Sequence, residues 1–209
     1  DLAMYLQPPG TVGGGFGDLT ARLRSDHHRR LMTTLAVQAR NPYWAWYVDR
    51  IGGPDPAGGY IGFLREALPA VRPRPPTDLP SSRCFAGVGQ AVLNTDLTGA
   101  GRNVEIIFKS SPFGTVSHGY ESQNSFLLYA FGDRLFIRSG RRETYGSPHH
   151  KQWMWATRST NCITINGTGQ YRHSWRAAGR ISAYHTSPRI DYVQGEAADA
   201  YEADVEQFT

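Results

Sequence analysis

A chain of 209 residues is long enough for one large domain or two small ones, and 40% hydrophobic with 19% charged residues is the balance of an ordinary folded protein. The formal net charge of +4 is carried almost wholly by arginine, since Lys109 and Lys151 are the only lysines. That charge is dispersed without a basic run, which argues against nucleic acid as a partner, and no apolar run approaches the roughly 18 residues of a membrane span.

The chain opens on DLAMYLQPPG, with no signal peptide, and ends on ADVEQFT inside an alternating pattern. The expectation is an internal piece of a longer protein or a processed product. The glycine-rich GGGFGD, Gly13 to Asp18, lacks the strand before it, the helix after it and the lysine of a phosphate loop, so nucleotide binding is rejected. Ser25 and Asp26 are N-cap candidates for a helix over residues 27–40, in which Leu31, Met32, Leu35 and Ala39 recur at helical spacing. His27 and His28 fall in its first turn and read as structural. Asn41-Pro42 forms a cap and first-turn pair for YWAWYVDRI, and GYIGFLREAL predicts a third short helix. Three brief, aromatic-rich helices make a thin core alone and resemble part of a larger helical array.

Residues 69–82 hold five prolines and read as an extended linker. Beyond it the period changes to two. VGQAVLNT, NVEIIFKS, SFLLYAF, RLFIRSG and NCITING predict strands, with a tight turn at Gly132 to Arg134. The acidic residues from Asp191 to Glu206 read as the wet faces of further strands. The two cysteines, Cys84 and Cys162, are too few for a disulfide scaffold and lack metal-site spacing; whether they pair is open.

Two stretches carry candidate chemistry. SHGYESQNSF, Ser117 to Phe126, packs polar side chains at the mouth of a strand. His118 is of the residue type that moves protons near neutral pH, and in a strand Tyr120 would share its face and form a base–acid pair. The plainer reading is a histidine bonded to a loop carbonyl with a rim tyrosine. The second stretch runs from Arg138 to Arg158 and holds Arg141, Arg142, Tyr145, the pair His149-His150, Trp153 and Trp155. A long loop with interleaved cations and aromatics suits an acidic sugar polymer, because arginine pairs with carboxylates and a ring packs on the C–H face of a pyranose. The plainer reading is a solvated loop with two tryptophans pinned to the core.

In order and spacing, GGGFGD, PPTDLP, SSPFGTVSHGYESQNSF, FGDRLFIRSG, YGSPHHKQW and TRSTNCITINGTGQ resemble the heparinase II/III-like polysaccharide lyases. The resemblance implies an α+β chain: the C-terminal helices of an (α/α) toroid over residues 1–80, followed by an incomplete antiparallel β-sandwich over 81–209. It implies a lyase that cleaves an anionic, uronate-containing polysaccharide by β-elimination in the periplasm or outside the cell. The implied site comprises His118 and Tyr120 as catalytic residues, with Gln123, Asn124, Arg138, Arg141, Tyr145, His149 and Arg158 binding substrate. The family's zinc ligands fall at Tyr120, Arg138 and Thr160, all three changed, so no metal and no cofactor is expected. Ser122 stands where the family motif has an aspartate. Alternatives are a catalytically silent carbohydrate-binding or structural relative, and a uronate epimerase sharing the proton-abstraction step. The expected partner is an acidic polysaccharide, with no nucleic acid and no membrane insertion.

Overall fold

The change of period after residue 69 is also a change of architecture. A computed structural model describes residues 1–12, 16, 26–56, 59–116, 118–139 and 144–209. Among these, helices α1 (Leu2–Leu6), α2 (Asp26–Gln38), α3 (Pro42–Arg50) and α4 (Gly59–Glu66) precede the proline-rich segment. Strands β1 (Arg83–Phe85), β2 (Gln90–Asn94), β3 (Val104–Lys109), β4 (Ser125–Ala130), β5 (Asp133–Phe136), β6 (Arg180–Thr186) and β7 (Asp191–Glu196) follow it.

The expected start of α3 forms as read. Asn41 lies in extended backbone, and its side-chain oxygen accepts from the amides of Tyr43 (2.9 Å) and Trp44 (3.1 Å), two donors a helix start otherwise leaves unpaired. In α2 the buried stripe differs from the expected one. Met32, Thr33 and Ala36 turn inward, whereas Leu31 and Leu35 stay exposed. Ser25 lies outside the described residues. Asp55 ties α2 to the segment beyond α3: its carboxylate accepts from Arg30 at 3.1 Å and its amide donates to Thr33.

Strands β1 to β5 form an antiparallel meander in sequence order, and β6 pairs only with β7. Alternation in β3 sends Glu105, Ile107 and Lys109 to one face and Val104, Ile106 and Phe108 to the other. The first face meets the helices: Val92, Ile107, Leu127 and Tyr129 pack in one cluster with Met4, Tyr5, Met32, Tyr47 and Val48. Each large apolar side chain so buried contributes about 1.5–3 kcal/mol. The β6–β7 hairpin covers part of the second face. A Cβ on Gly195 would lie 2.8 Å from the Phe108 ring and 2.4 Å from the Asn124 side-chain oxygen, so only glycine lets β7 approach this closely.

The turn joining β4 to β5 uses Phe131 and Gly132, both at positive φ, one residue earlier than the expected Gly132 to Arg134. NCITING is not a strand. It forms a small loop closed by a bridge between Ile165 and Thr168 around Asn166-Gly167, both at positive φ. Both cysteines are free thiols.

Candidate functional site

The segment before β4 is not extended, and this separates the expected pair. Gly119 donates to the Val116 carbonyl at 3.0 Å, closing a turn. His118 is exposed at that turn, whereas Tyr120 is 1% exposed. They therefore do not share a strand face, and a base–acid pair of the expected kind does not form.

The flanks of this turn are held by buried polar groups. The Glu121 amide donates to the Trp155 carbonyl (3.0 Å), while its carboxylate accepts from the Thr157 amide (3.0 Å), the Thr157 hydroxyl (3.2 Å) and Arg172 Nε (2.7 Å). A buried carboxylate with this many donors is stable only because each lone pair is engaged. Gln123 is wholly buried. Its Oε1 accepts from the Ser111 amide (2.7 Å) and its Nε2 donates to the Ala177 carbonyl (2.7 Å), while its main chain exchanges two bonds with the Gln170 side chain. Gln123 is thus a strut under the site, with its amide already spent, and does not face a ligand. Ser122 is buried too and accepts from Lys109 Nζ at 2.9 Å. Burial lowers the Lys109 ammonium to about 8.

Arg138 is 2% exposed, out of reach of a polymer at the surface. Its guanidinium carbon lies 4.4 Å from the centre of the Tyr120 ring, a cation–π contact in a desolvated setting. Thr160 is near in the chain path, since the Ser139 amide bonds the Ser159 carbonyl at 2.8 Å; the Thr160 hydroxyl donates to the Thr157 carbonyl at 2.8 Å. The three positions at which the resemblance implies zinc ligands therefore hold a guanidinium without lone pairs to donate, the phenol ring beneath it and an engaged hydroxyl. This donor set does not suit zinc, which takes imidazole, thiolate or carboxylate. Among the described residues no cluster of three histidine, cysteine, aspartate or glutamate side chains could hold a metal.

The second stretch has more structure than a loop. Residues His150–Met154 form a π-helical turn. Buried His150 accepts from the Gly146 amide at Nδ1 (2.9 Å) and sits in a column of rings: 5.0 Å to Tyr145, 4.6 Å to Trp155, and from Trp155 3.7 Å to His173. Tyr145 and His149 are exposed. Arg158 is exposed and covers the Trp153 ring at 5.2 Å. Arg141 lies outside the described residues.

Asn124 belongs to a different place. It has positive φ, donates to the Gly195 and Phe208 carbonyls, and lines a groove of about 780 Å³ with Phe108, Phe126, Phe136 and Tyr192. His118 does not line this groove. Sequence reasoning missed the groove; its signal was the phenylalanine at outward positions of adjacent strands. Glu105 was missed as well. It is buried opposite Tyr129, and burial raises its carboxyl to about 9.

Comparison with known proteins follows the same division of the chain. The model of the heparinase II/III-like C-terminal domain matches residues 77–207. A crystal structure of heparinase III superposes with TM-score 0.65 at 16% identity, covering 93% of this chain and 29% of its own. The heparan sulfate lyase HepC of Pedobacter heparinus does so with TM-score 0.66 at 12% identity, covering 95% and 27%. A further heparinase III gives 0.65 at 14%, again covering 95% and 27%. The chain thus spans less than a third of the length of these proteins, and identity at this level shows a shared fold. A search of curated protein sequences finds no match.

Proposed function

The chain belongs to the heparinase II/III-like family, whose C-terminal domain it carries over residues 77–207, and on that premise we propose that it forms part of a polysaccharide lyase acting on an anionic, uronate-containing polymer. The observation that carries this reading is an exposed imidazole, His118, on a turn whose two flanks are fastened by buried carboxylate and amide networks. Such fastening holds a reactive group in one geometry, which is what positioning catalysis requires.

In β-elimination a base takes the C5 proton of the uronate. The electron pair released forms the C4–C5 double bond and expels O4, and an acid returns a proton to O4. The step is affordable only when the neighbouring carboxylate is neutralised by a cation or hydrogen-bond donor. His118 suits proton abstraction or contact with that carboxylate. Exposed Arg158 and His149 suit the acidic groups of the polymer further along, with Tyr145 offering a ring face. Arg138 and Tyr120 act from behind, as a packed pair that sets the floor of the turn. We assign no zinc to this place, because the guanidinium stands where a ligand would be; dialysis against a chelator is expected to leave turnover and the unfolding midpoint unchanged. A chelator-induced loss restored by zinc would overturn that assignment.

The finer architecture follows the same premise. The helices expose Leu31, Leu35, Tyr60, Ile61, Phe63 and Leu64, an apolar surface suited to further helices of an α/α toroid. Periplasmic or secreted placement fits a polymer-degrading role; among the described residues no helix is long and apolar enough to cross a membrane.

One observation favours a second reading, a silent carbohydrate-binding relative. Tyr120 is buried, so His118 lacks the acid expected beside it. The test is the ultraviolet absorbance of the unsaturated uronate, with the full-length protein and a panel of acidic polysaccharides. Lyase action is expected to give a rise that His118→Ala reduces at least about a hundredfold, the typical size of a general acid–base contribution. Binding without any rise would establish the silent relative.

A further inference from the structure

Resting on the acidic-polysaccharide reading above, we propose that Trp175, Phe113 and the Arg176–Tyr171 stack form a second sugar-binding subsite, one that holds an anionic chain beyond the sugar at His118. Trp175 is 68% exposed and Phe113 54%. Isolated exposed rings are common and need no explanation. These two are neither isolated nor loose.

They sit on two loops that are locked together. The Thr115 amide donates to the Ser174 carbonyl (3.0 Å), the Thr115 hydroxyl donates to the Tyr171 carbonyl (2.8 Å), and the Ser174 amide donates back to that hydroxyl (3.1 Å). Gly114, at φ +67°, lets the loops touch: a Cβ there would lie 2.4 Å from the Ser174 carbonyl oxygen and 2.7 Å from the Trp175 Cα. The rings are thus presented from a fixed backbone, which lowers the ordering cost of binding.

The charge beside them is uncommitted. The Arg176 guanidinium lies 4.3 Å from the Tyr171 ring centre and makes no ion pair with any described acidic residue. Arg172, which does pair with Glu121 at 2.7 Å, keeps its side chain 46% exposed. A guanidinium held flat on a ring presents its N–H edge to a carboxylate or sulfate, while the neighbouring indole offers an apolar face to pyranose C–H groups. Only three residues separate Thr115 from His118, so their Cα atoms lie within about 11 Å. That is the distance of one or two sugars, which makes the patch an extension of the same binding track.

The experiment measures affinity of the full-length protein for heparan sulfate and alginate chains of four and of ten sugars, with dextran as the uncharged control. The unsubstituted protein is expected to prefer the longer acidic chain. Trp175→Ala and Arg176→Gln are each expected to weaken binding of the longer chain by about tenfold, the effect of truncating an anchoring side chain, and to remove most of the preference for length. Equal affinity of both variants and the parent for the longer chain would overturn the subsite while leaving the lyase reading intact. Failure of the parent to bind any acidic chain would overturn both. A Trp175→Ala protein whose unfolding midpoint drops as for a core aromatic would show that the ring is covered, and would also overturn it.

Discussion

Glu105 shows how one side chain can carry a pH dependence for the fold. It points inward from β3, directly across from Tyr129 on β4, with one carboxyl oxygen lacking a hydrogen-bond partner. Burial raises its carboxyl from 4.5 to about 9, and raises the Tyr129 phenol to about 12 with a further push from Glu105. Between 4.5 and about 9 the folded protein keeps a proton that the unfolded chain has released. The contribution of Glu105 to stability is therefore fully present below 4.5 and is lost as pH rises toward about 9. Glu105→Gln, which cannot ionise, is expected to stabilise the protein by about 1–3 kcal/mol at the upper end of this window. Its advantage is expected to shrink toward the lower end; urea unfolding at several pH values reads this directly. A constant difference across pH would mean that the carboxyl is not held protonated.

Helix α3 depends on a different kind of local chemistry. Asn41 satisfies two main-chain donors, Pro42 supplies a preset φ, and the last turn carries Arg50 near the carbonyl end. Asn41→Ala is expected to cost about 1 kcal/mol, visible as a lower urea midpoint with an unchanged slope. Asn41→Asp is expected to restore most of it, since a carboxylate oxygen accepts the same two bonds. The turn bearing His118 follows a contrary rule: nothing in its own residues favours one conformation strongly. Its shape comes from Glu121 and Gln123 bonding to segments 36 to 54 residues further along the chain.

At the level of the assembled chain, the helices bury one side against the sheet and leave another side apolar and open. Tyr60 and Phe63 are 74% and 71% exposed on the single short helix α4. Produced without the remainder of a longer protein, the chain is expected to self-associate through this surface. Light scattering should report it, and Tyr60→Ser with Phe63→Ser should suppress it without lowering the unfolding midpoint. A parent chain that stays monomeric at high concentration would refute this.

Local chemistry written along the chain was enough to mark the helix over 26–38, the cap at Asn41, the proline-rich boundary and strands β2 to β5, because each depends on neighbours within a few positions. The family was legible too, since its phrases follow one another in order. Other features depended on groups far apart in sequence. NCITING alternates like a strand yet finds no partner strand, and closes on itself through Ile165 and Thr168. His118 and Tyr120 read as one face but separate, because a turn at Gly119 replaces the extended backbone that the pairing needed. Gln123 and Arg138 have the chemistry of binding residues, and only burial shows that one is a strut and the other a packed partner of Tyr120. Residue type sets what a side chain can bond; which groups surround it, and whether water or polymer reaches it, is settled when distant segments pack.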